Sequence, residues 1–262
     1  MIPAMRDNPV RKRLRDGGHA YGIMATEFFT PGFCQIAASC GAEYIIFDQE
    51  HGAVGIDTLK AQIAFARGTG VAPFVRVPGL AYHLIAPVLD AGAFGIMVPM
   101  METAAQAENL AKWCRYRPEG VRGLGFGVGH DDYARGDVVP KMAEANERTL
   151  VISLIETATG IENADAILAV PGIDVGWLGH YDLTNTMGFT AEFEHPDFHA
   201  AVDTLLAACA RHGKAPGILA GTVEAARAWR ARGFRALCCG TDVSVFQAAL
   251  GGLIGVLRED EA

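Results

Sequence analysis

The sequence lacks the features that mark membrane proteins, zinc-binding domains and nucleic-acid-binding proteins. No apolar run is long and clean enough to span a bilayer. The six cysteines show neither a CxxC pair nor a zinc spacing. A formal net charge of −8 argues against general binding to nucleic acid. We therefore expect no membrane or nucleic-acid partner, and we expect reduced cysteine thiols.

The first residues also lack a targeting signal. Residues 1–16 are polar and mixed in charge, without the apolar stretch of a secretory signal. Their arginines are compatible with a mitochondrial presequence, but Asp7 and Asp16 argue against one. The expectation is therefore a cytoplasmic protein.

Apolar segments that favour strands alternate with helical segments along the whole chain. The 262 residues are 50% hydrophobic and 20% charged, which suits one α/β domain with a large core. The predicted strands lie at 21–25, 44–47, 72–77, 94–100, 150–155, 174–178, 215–220 and 234–239. Helical crossovers of this kind join parallel strands.

Eight such strands predict a (β/α)₈ TIM barrel. Its expected boundaries are residues 21–262, after a polar extension at 1–20. The competing fold is a doubly wound sheet. That fold would usually carry a glycine fingerprint directly after its first strand, and residues 22–26 do not supply one.

Ionisable residues stand at the carboxyl ends of four predicted strands. They are Asp48, Glu50 and His51 after the second strand, Arg76 at the end of the third, Glu156 after the fifth and Asp182 after the sixth. In a barrel these strand ends converge on one mouth, where ligands bind. Charged groups gathered there are costly unless they pair with each other, a metal or a substrate.

The types of residue at the mouth suggest a chemistry. Two carboxylates without a thiolate or a histidine cluster suit a hard divalent ion such as Mg²⁺ or Mn²⁺. Arg76 could stabilise a developing oxyanion, and His51 is a natural proton carrier near neutral pH. Together they suit chemistry through the enolate of a 2-oxo acid. The alternatives are that Arg76 only forms an ion pair and that Glu156 and Asp182 only cap helices.

A glycine-rich segment at 115–140 interrupts the alternation of strands and helices. It carries Arg122, His130, Asp131 and Asp132. A segment of this length inside a compact domain is usually functional or mobile. It could shape substrate specificity or form a contact between subunits.

Seven short motifs, in this order along the chain, resemble the HpcH/HpaI family of metal-dependent class II pyruvate aldolases. They are FDQEHG at 47–52, PFVR at 73–76, LDAG at 89–92, VPM at 98–100, GVRG at 120–123, IET at 155–157 and GHYDL at 179–183. The ordered set is more specific than any single motif, and the resemblance runs from about residue 22 to residue 257.

The resemblance implies a fold, an assembly and a reaction. The implied fold is a (β/α)₈ barrel, often assembled as a homo-hexamer that exchanges its last helix between subunits. The implied reaction is reversible aldol cleavage of a 4-hydroxy-2-oxo acid to pyruvate and an aldehyde, through a metal-bound pyruvate enolate. The substrates would therefore be small molecules.

The resemblance also assigns roles by position. Glu156 and Asp182 match the carboxylates that hold the divalent metal, which would be Mg²⁺ or Mn²⁺, with Co²⁺ also compatible. Arg76 matches the residue that steadies the enolate oxygen. His51 matches the base, which acts directly or through a metal-bound water.

The carboxylate that supports His51 is open at this point. Asp90 matches the family residue that raises the basicity of the histidine. From the sequence alone, Asp90 looks like a helix-end residue before Gly92. Asp48 could also orient His51, and the sequence does not rank the two.

Two positions depart from the family pattern. Leu154 stands where many members have a glutamine that contacts substrate. The common GPxD turn reads GHYD at 179–182. Tyr181 is expected to present its backbone N–H to the pyruvate carboxylate, with Asp182 beside it. His180 is expected to be an exposed loop histidine.

Two other functions compete with the aldolase. One is a carbon–carbon ligase on the same barrel, resembling the family's siderophore-pathway citrate synthase, which would condense an oxaloacetate-type enolate with an acyl donor. The other is a catalytically silent barrel that serves as a scaffold or sensor. The complete set of strand-end residues argues against the silent barrel. Cys238 and Cys239, at the end of the eighth predicted strand, have no assigned role.

Overall fold

The computed structural model describes residues 5–259, in which helices and strands alternate. The strands are β1 (Ala20–Ala25), β2 (Tyr44–Asp48), β3 (Ala72–Arg76), β4 (Gly95–Val98), β5 (Leu150–Ile155), β6 (Val175–Leu178), β7 (Ala215–Leu219) and β8 (Ala236–Thr241). The helices are α1 (Pro9–Arg15), α2 (Phe33–Ser39), α3 (Ile56–Phe65), α4 (Tyr82–Ala91), α5 (Ala104–Cys114), α6 (Val138–Arg148), α7 (Ala158–Glu162), α8 (Ala164–Leu168), α9 (His180–Thr186), α10 (Pro196–Arg211), α11 (Val223–Arg232) and α12 (Asp242–Glu259).

The strands form one closed parallel barrel. Each strand pairs with the next in chain order, and β8 pairs with β1 to close the ring. This confirms the predicted (β/α)₈ TIM barrel. The predicted fourth strand, 94–100, is longer than β4, because Met100 has a φ of 56° and leaves the extended conformation.

Large apolar side chains fill the inside of the barrel. They are Met24, Tyr44, Ile46, Phe74, Leu154 and Trp177, which belong to one buried cluster. Gly217 makes room for the indole, since a Cβ at this position would lie 2.3 Å from an atom of the Trp177 ring. The barrel is therefore a packed core, and ligands must bind at its mouth.

Helix α1 closes the amino-terminal end of the barrel. It lies inside the segment predicted as a polar extension, and its Val10 and Leu14 are buried in the interior cluster. The Asn8 side chain accepts a hydrogen bond from the backbone of Arg11 and donates to the carbonyl oxygens of Phe94 and Arg148. The extension is thus fastened to the barrel.

Helix α12 is apolar, but most of its side chains are not buried. Asp242 is its one buried residue among those described. Phe246 is 54% exposed and Leu253 is 69% exposed. The predicted exchange of this helix between subunits stays a prediction. Within residues 5–259, no helix combines the length and the apolarity that crossing a membrane requires.

The glycine-rich segment packs against the outer helices. Tyr116 is fully buried, and its backbone N–H donates to the side chain of Asn146 on α6. Asp131 is also buried and accepts hydrogen bonds from the backbone of Gly127 and from Lys141. The segment is thus held by buried side chains.

Candidate active site

Asp48 and Arg76 form a bidentate ion pair at the mouth of the barrel. They are register partners at the ends of β2 and β3, so the sheet itself sets their separation. The Nε and Nη2 groups of Arg76 donate to the two carboxylate oxygens of Asp48 at 2.8 and 2.7 Å. Asp48 is fully buried and the Arg76 side chain is 11% exposed. The ion pair therefore fixes the orientation of Arg76.

Glu50 connects this pair to His51. Its Oε2 lies 3.0 Å from Nη1 of Arg76 and 3.9 Å from Nε2 of His51. Burial raises the pKa of Glu50, and the charges of Arg76 and His51 partly oppose this. Sequence reasoning noted Glu50 but gave it no role. The available signal was its position two residues after Asp48, directly after the second predicted strand.

Glu156 is a buried carboxylate directly after β5. It is 3% exposed, and its Oε1 accepts a hydrogen bond of 2.8 Å from the backbone of Met100. Burial raises the pKa of Glu156 to about 7; the Met100 N–H opposes this shift, and the charges of Glu50 and Asp182 add to it. Gly179 is required here, since a Cβ would lie 2.4 Å from Oε2 of Glu156.

Asp182 lies in the first turn of α9, after β6. Its charge reaches both Glu50 and Glu156, because it raises the pKa of each. No side chain caps the start of α9, and Thr157, not Glu156, caps α7 by accepting from the backbone of Gly160. The helix-cap alternative for the two carboxylates is therefore wrong.

The donor set fits a divalent cation with few protein ligands. Within residues 5–259, no three or more His, Cys, Asp and Glu side chains converge as a complete metal cage. Glu156 and Asp182 supply carboxylate oxygens, which Mg²⁺ and Mn²⁺ prefer, and such ions commonly keep positions for water and substrate. Oε2 of Glu50 is buried, and its contact with Nη1 of Arg76 at 3.0 Å lacks hydrogen-bond geometry, so among the described residues this oxygen keeps acceptor capacity.

Leu154 and Met24 form an apolar floor below these polar groups. Leu154 is 2% exposed and faces the barrel interior, two residues before Glu156. The sulfur of Met24 lies 3.9 Å from Nη2 of Arg76. The position that carries a substrate-contacting glutamine in many family members is thus apolar in this chain.

Tyr181 and His180 begin α9 beside Asp182. The Tyr181 ring is exposed and lies 4.7 Å from the His180 ring and 5.0 Å from the Phe193 ring, between centroids. The prediction of an exposed loop histidine is wrong, because His180 is half-buried and helical. Burial lowers the pKa of His180 to about 4, and the charge of Asp182 partly opposes this.

The loop after β1 forms another part of the rim. The buried carboxylate of Asp242 accepts hydrogen bonds from the backbone of Thr26, Glu27 and Phe28 at 3.1, 3.0 and 2.6 Å. Because Asp242 begins α12, the last helix holds this loop in place. Sequence reasoning missed this contact, which joins residues more than 200 positions apart in the chain.

Asp90 lies away from the other predicted site residues. It stands in the last turn of α4, and helices of a barrel run back toward the amino-terminal ends of the strands. Its carboxylate accepts a hydrogen bond of 2.6 Å from Arg122. Within one chain the structure does not bring Asp90 to His51. Asp48 does not contact His51 either, because Arg76 occupies both of its oxygens.

Comparisons with known proteins identify the family of the chain. The family model of the HpcH/HpaI aldolase/citrate lyase family matches residues 26–249. A hydroxypyruvate/pyruvate aldolase of Delftia acidovorans is 36% identical over 256 residues, which cover 97% of this chain and 94% of the relative. The chain belongs to the HpcH/HpaI aldolase/citrate lyase family, and it is an enzyme of the aldolase or lyase type.

Solved structures show the same architecture. An HpcH/HpaI aldolase from Desulfitobacterium hafniense superposes with a TM-score of 0.91 at 28% identity and 98% coverage of both chains. The citrate synthase SbnG superposes with a TM-score of 0.86 at 27% identity, covering 96% of this chain and 98% of its own. The barrel therefore has both aldolases and a citrate synthase among its structural neighbours.

Proposed function

We propose that this protein is a divalent-metal-dependent class II aldolase. It reversibly cleaves a 4-hydroxy-2-oxo acid to pyruvate and an aldehyde. The observation that carries the proposal is a pair of carboxylates, Glu156 and Asp182, near enough that the charge of Asp182 raises the pKa of Glu156, together with an arginine that Asp48 holds rigidly. The similarity to a hydroxypyruvate/pyruvate aldolase over almost the whole chain supports the choice of pyruvate.

Glu156 and Asp182 would hold the metal, which is Mg²⁺ or Mn²⁺, with Co²⁺ also compatible with carboxylate ligands. When bound, the metal supplies Lewis-acid polarisation of the oxygens of the 2-oxo acid. The raised pKa of Glu156 fits this role, because its cause is burial next to other carboxylates and a nearby cation would relieve that cost.

Arg76 provides the fixed positive charge of the mouth. Its contacts with Asp48 and Glu50 hold the guanidinium before substrate arrives, so little reorganisation is needed when negative charge develops on the keto oxygen. His51 is 66% exposed at the rim, with Glu50 as its nearest carboxylate. It exchanges the proton at C3 of pyruvate or at the 4-hydroxyl group of the substrate.

Leu154 and Tyr181 complete the binding of pyruvate. Leu154 keeps water away from the floor of the site and offers an apolar surface to the methyl group of pyruvate. Tyr181 is the second residue of α9, whose first-turn N–H groups have no partner within the helix. Its backbone N–H would bind the pyruvate carboxylate next to Asp182.

The direct test is aldol synthesis and cleavage with defined substrates. Pyruvate is incubated with a panel of short aldehydes, and carbon–carbon products are followed by NMR. The proposal predicts product that disappears with a chelator and returns with Mg²⁺ or Mn²⁺. Metal-independent product, or none with any aldehyde, would contradict it.

The likeness to SbnG favours one second candidate, a carbon–carbon ligase of citrate-synthase type. Such an enzyme would join an oxaloacetate enolate to an acyl donor. Consumption of an acyl thioester with oxaloacetate, without any aldol product from pyruvate, would select this candidate over the aldolase.

We also propose that the protein is a cytoplasmic homo-oligomer, with a hexamer as the expected size. Helix α12 exposes a row of apolar side chains that a second copy would cover, including Phe246 and Leu253. An oligomer would also give Asp90 a catalytic role, because only the Asp90 of a neighbouring copy could approach His51 at the mouth. The oligomer is thus part of the proposed site.

A further inference from the structure

Among the described residues, one buried arginine far from the mouth has no ion-pair partner. Arg148, the last residue of α6, is 5% exposed. Its Nε and Nη1 atoms are buried without a hydrogen-bond partner among residues 5–259. Its guanidinium carbon lies 4.9 Å from the ring centre of Phe94, which is its favourable contact with the core. A buried guanidinium without an anion is costly, so this arrangement calls for a ligand.

The surroundings of Arg148 increase this cost. Burial, together with the like charges of Arg6 and Arg122, lowers the pKa of Arg148 to about 10, and the charge of Asp132 opposes this in part. Asp132 is itself engaged, because Nε of Arg6 donates to it at 2.8 Å. Asp90 is engaged by Arg122. The nearby carboxylates therefore do not neutralise Arg148.

Arg148 lines a cavity of about 810 Å³ between α1 and α6. The cavity is lined by five cationic side chains, namely Arg6, Arg11, Lys12, Arg15 and Arg148, against three carboxylates. One of these carboxylates, Glu147, is held by Arg11 and Arg15. Another, Glu144, accepts a hydrogen bond from the backbone of Met5. Arg11 and Arg6 also pair with Asp174 and Asp132, so Lys12 and Arg148 are the lining cations without an ion pair among residues 5–259.

Arg6 presents a second unused donor. Its Nη2 atom is buried without a partner among the described residues, and its guanidinium carbon also lies 4.9 Å from the Phe94 ring centre. Two guanidinium groups therefore flank one aromatic ring, each with donors to spare. Guanidinium groups match the oxygens of phosphate and carboxylate in a bidentate manner.

We propose that the cavity between α1 and α6 is a binding site for a small oxyanion, a phosphate or a carboxylate, with Arg148 and Arg6 as its main ligands. The site is separate from the aldolase site, because α1 and the end of α6 lie at the amino-terminal end of the barrel. Binding would offset the cost of the buried cations and would fasten α1 to the barrel. The site does not depend on the proposed reaction.

The test is calorimetric titration of the purified full-length protein with inorganic phosphate, at constant ionic strength set with chloride. Malonate is titrated in parallel to separate phosphate from carboxylate binding. The test variant is Arg148→Met, which keeps the apolar stem. Arg227→Met is the matched control, because Arg227 is exposed on α11 and its loss changes the net charge equally. Lys12→Met is a second cavity variant at an exposed position, which tests the site without disturbing the core.

The proposal predicts saturable binding of at least one of the two anions to the unmodified protein. Affinity falls by at least about tenfold in Arg148→Met and by a few-fold in Lys12→Met, and it is unchanged in Arg227→Met. In buffer without either anion, Arg148→Met melts at a higher temperature than the unmodified protein, because a buried unpaired charge is gone.

Three results would overturn the proposal. The first is no saturable binding of phosphate or malonate to the unmodified protein. The second is binding that Arg148→Met and Lys12→Met leave intact. The third is a change of oligomeric state in Arg148→Met without any anion binding, which would assign the arginine to a carboxylate of another copy of the chain.

Discussion

Arg76 and Asp48 face each other across two neighbouring parallel strands, and the ladder register alone places their side chains within hydrogen-bonding distance. Strand pairing and a buried counter-ion thus orient the guanidinium before any substrate binds. An arginine on a flexible loop would lose side-chain entropy on binding substrate. The pair therefore explains why a residue that resembles an ordinary ion-pair partner can also serve the chemistry.

The first prediction concerns this pair. Asp48→Asn keeps the shape of the side chain but removes the charge that anchors Arg76. We expect kcat/KM for pyruvate enolisation to fall by at least about tenfold, with the fold retained by circular dichroism. Asp57→Asn, at an exposed position on α3, is the matched control. Unchanged kinetics in Asp48→Asn would mean that the pair does not position Arg76 for the reaction.

The second prediction separates stability from function at Glu156. Its pKa is raised in the folded protein, so stability falls as pH rises from about 4.5 to about 7 and the cost is complete above that range. Glu156→Gln, with chelator present and above neutral pH, should therefore raise the free energy of unfolding by up to about 3 kcal/mol. The same variant should lose metal-dependent enolisation. Urea unfolding measures the stability, and exchange of the C3 protons of pyruvate with deuterated water measures enolisation. A variant that loses both stability and activity would contradict the account.

The third prediction concerns acid stability and His130. This histidine is fully buried, and burial lowers its pKa below the ordinary 6.5, with Arg122 adding to the shift and the Gly125 carbonyl opposing it. Because the unfolded chain binds the proton more tightly, stability is complete above pH 6.5 and falls as the pH drops below it. His180 acts in the same direction.

Urea unfolding in steps from neutral pH into the acid range checks this. The slope of stability against pH should be smaller in His130→Phe than in the unmodified protein. His83→Phe, at an exposed position on α4, is the control and should keep the original slope. Equal slopes in all three proteins would show that the buried histidine does not govern acid stability.

The fourth prediction tests whether Asp90 acts on another copy. His51→Ala and Asp90→Asn should each be nearly inactive. A mixed oligomer, made by unfolding and refolding the two variants together, should regain activity, because some sites would combine an intact His51 with an intact Asp90. Refolding each variant alone is the control. If the mixture is as inactive as each variant alone, either both residues act in the site of one chain or Asp90 has no role in catalysis.

Much of the barrel could be predicted from the sequence because its signals are local. Buried parallel strands are continuous apolar runs, and the ionisable residues after them mark the mouth. Strand order and closure follow from the count of strands. The observed strand ends differ from the predicted ones where the backbone turns, as it does at Met100. The helix α1 was also signalled, since Asn8 and Pro9 form a helix start, but the polar composition around them favoured a tail.

Contacts between distant parts of the chain could not be predicted. In the sequence Asp48 lies three residues before His51. The strand register nevertheless pairs Asp48 with Arg76. Asp90 matches a family position, but only the course of α4 shows how far it lies from the mouth. His180 looked like a loop residue because the helix that it begins is short. The isolation of Arg148 depends on every residue packed around it, and no local pattern carries that information.

Exchange of the C3 protons of pyruvate with deuterated water, followed by NMR, tests the central claim most directly. It detects enolisation without the unknown aldehyde. The account predicts exchange that needs Mg²⁺ or Mn²⁺, stops with a chelator, and is lost in Glu156→Gln and Arg76→Met but not in Arg227→Met. No exchange with any of these metals, or exchange that survives in Glu156→Gln and Arg76→Met, would contradict it.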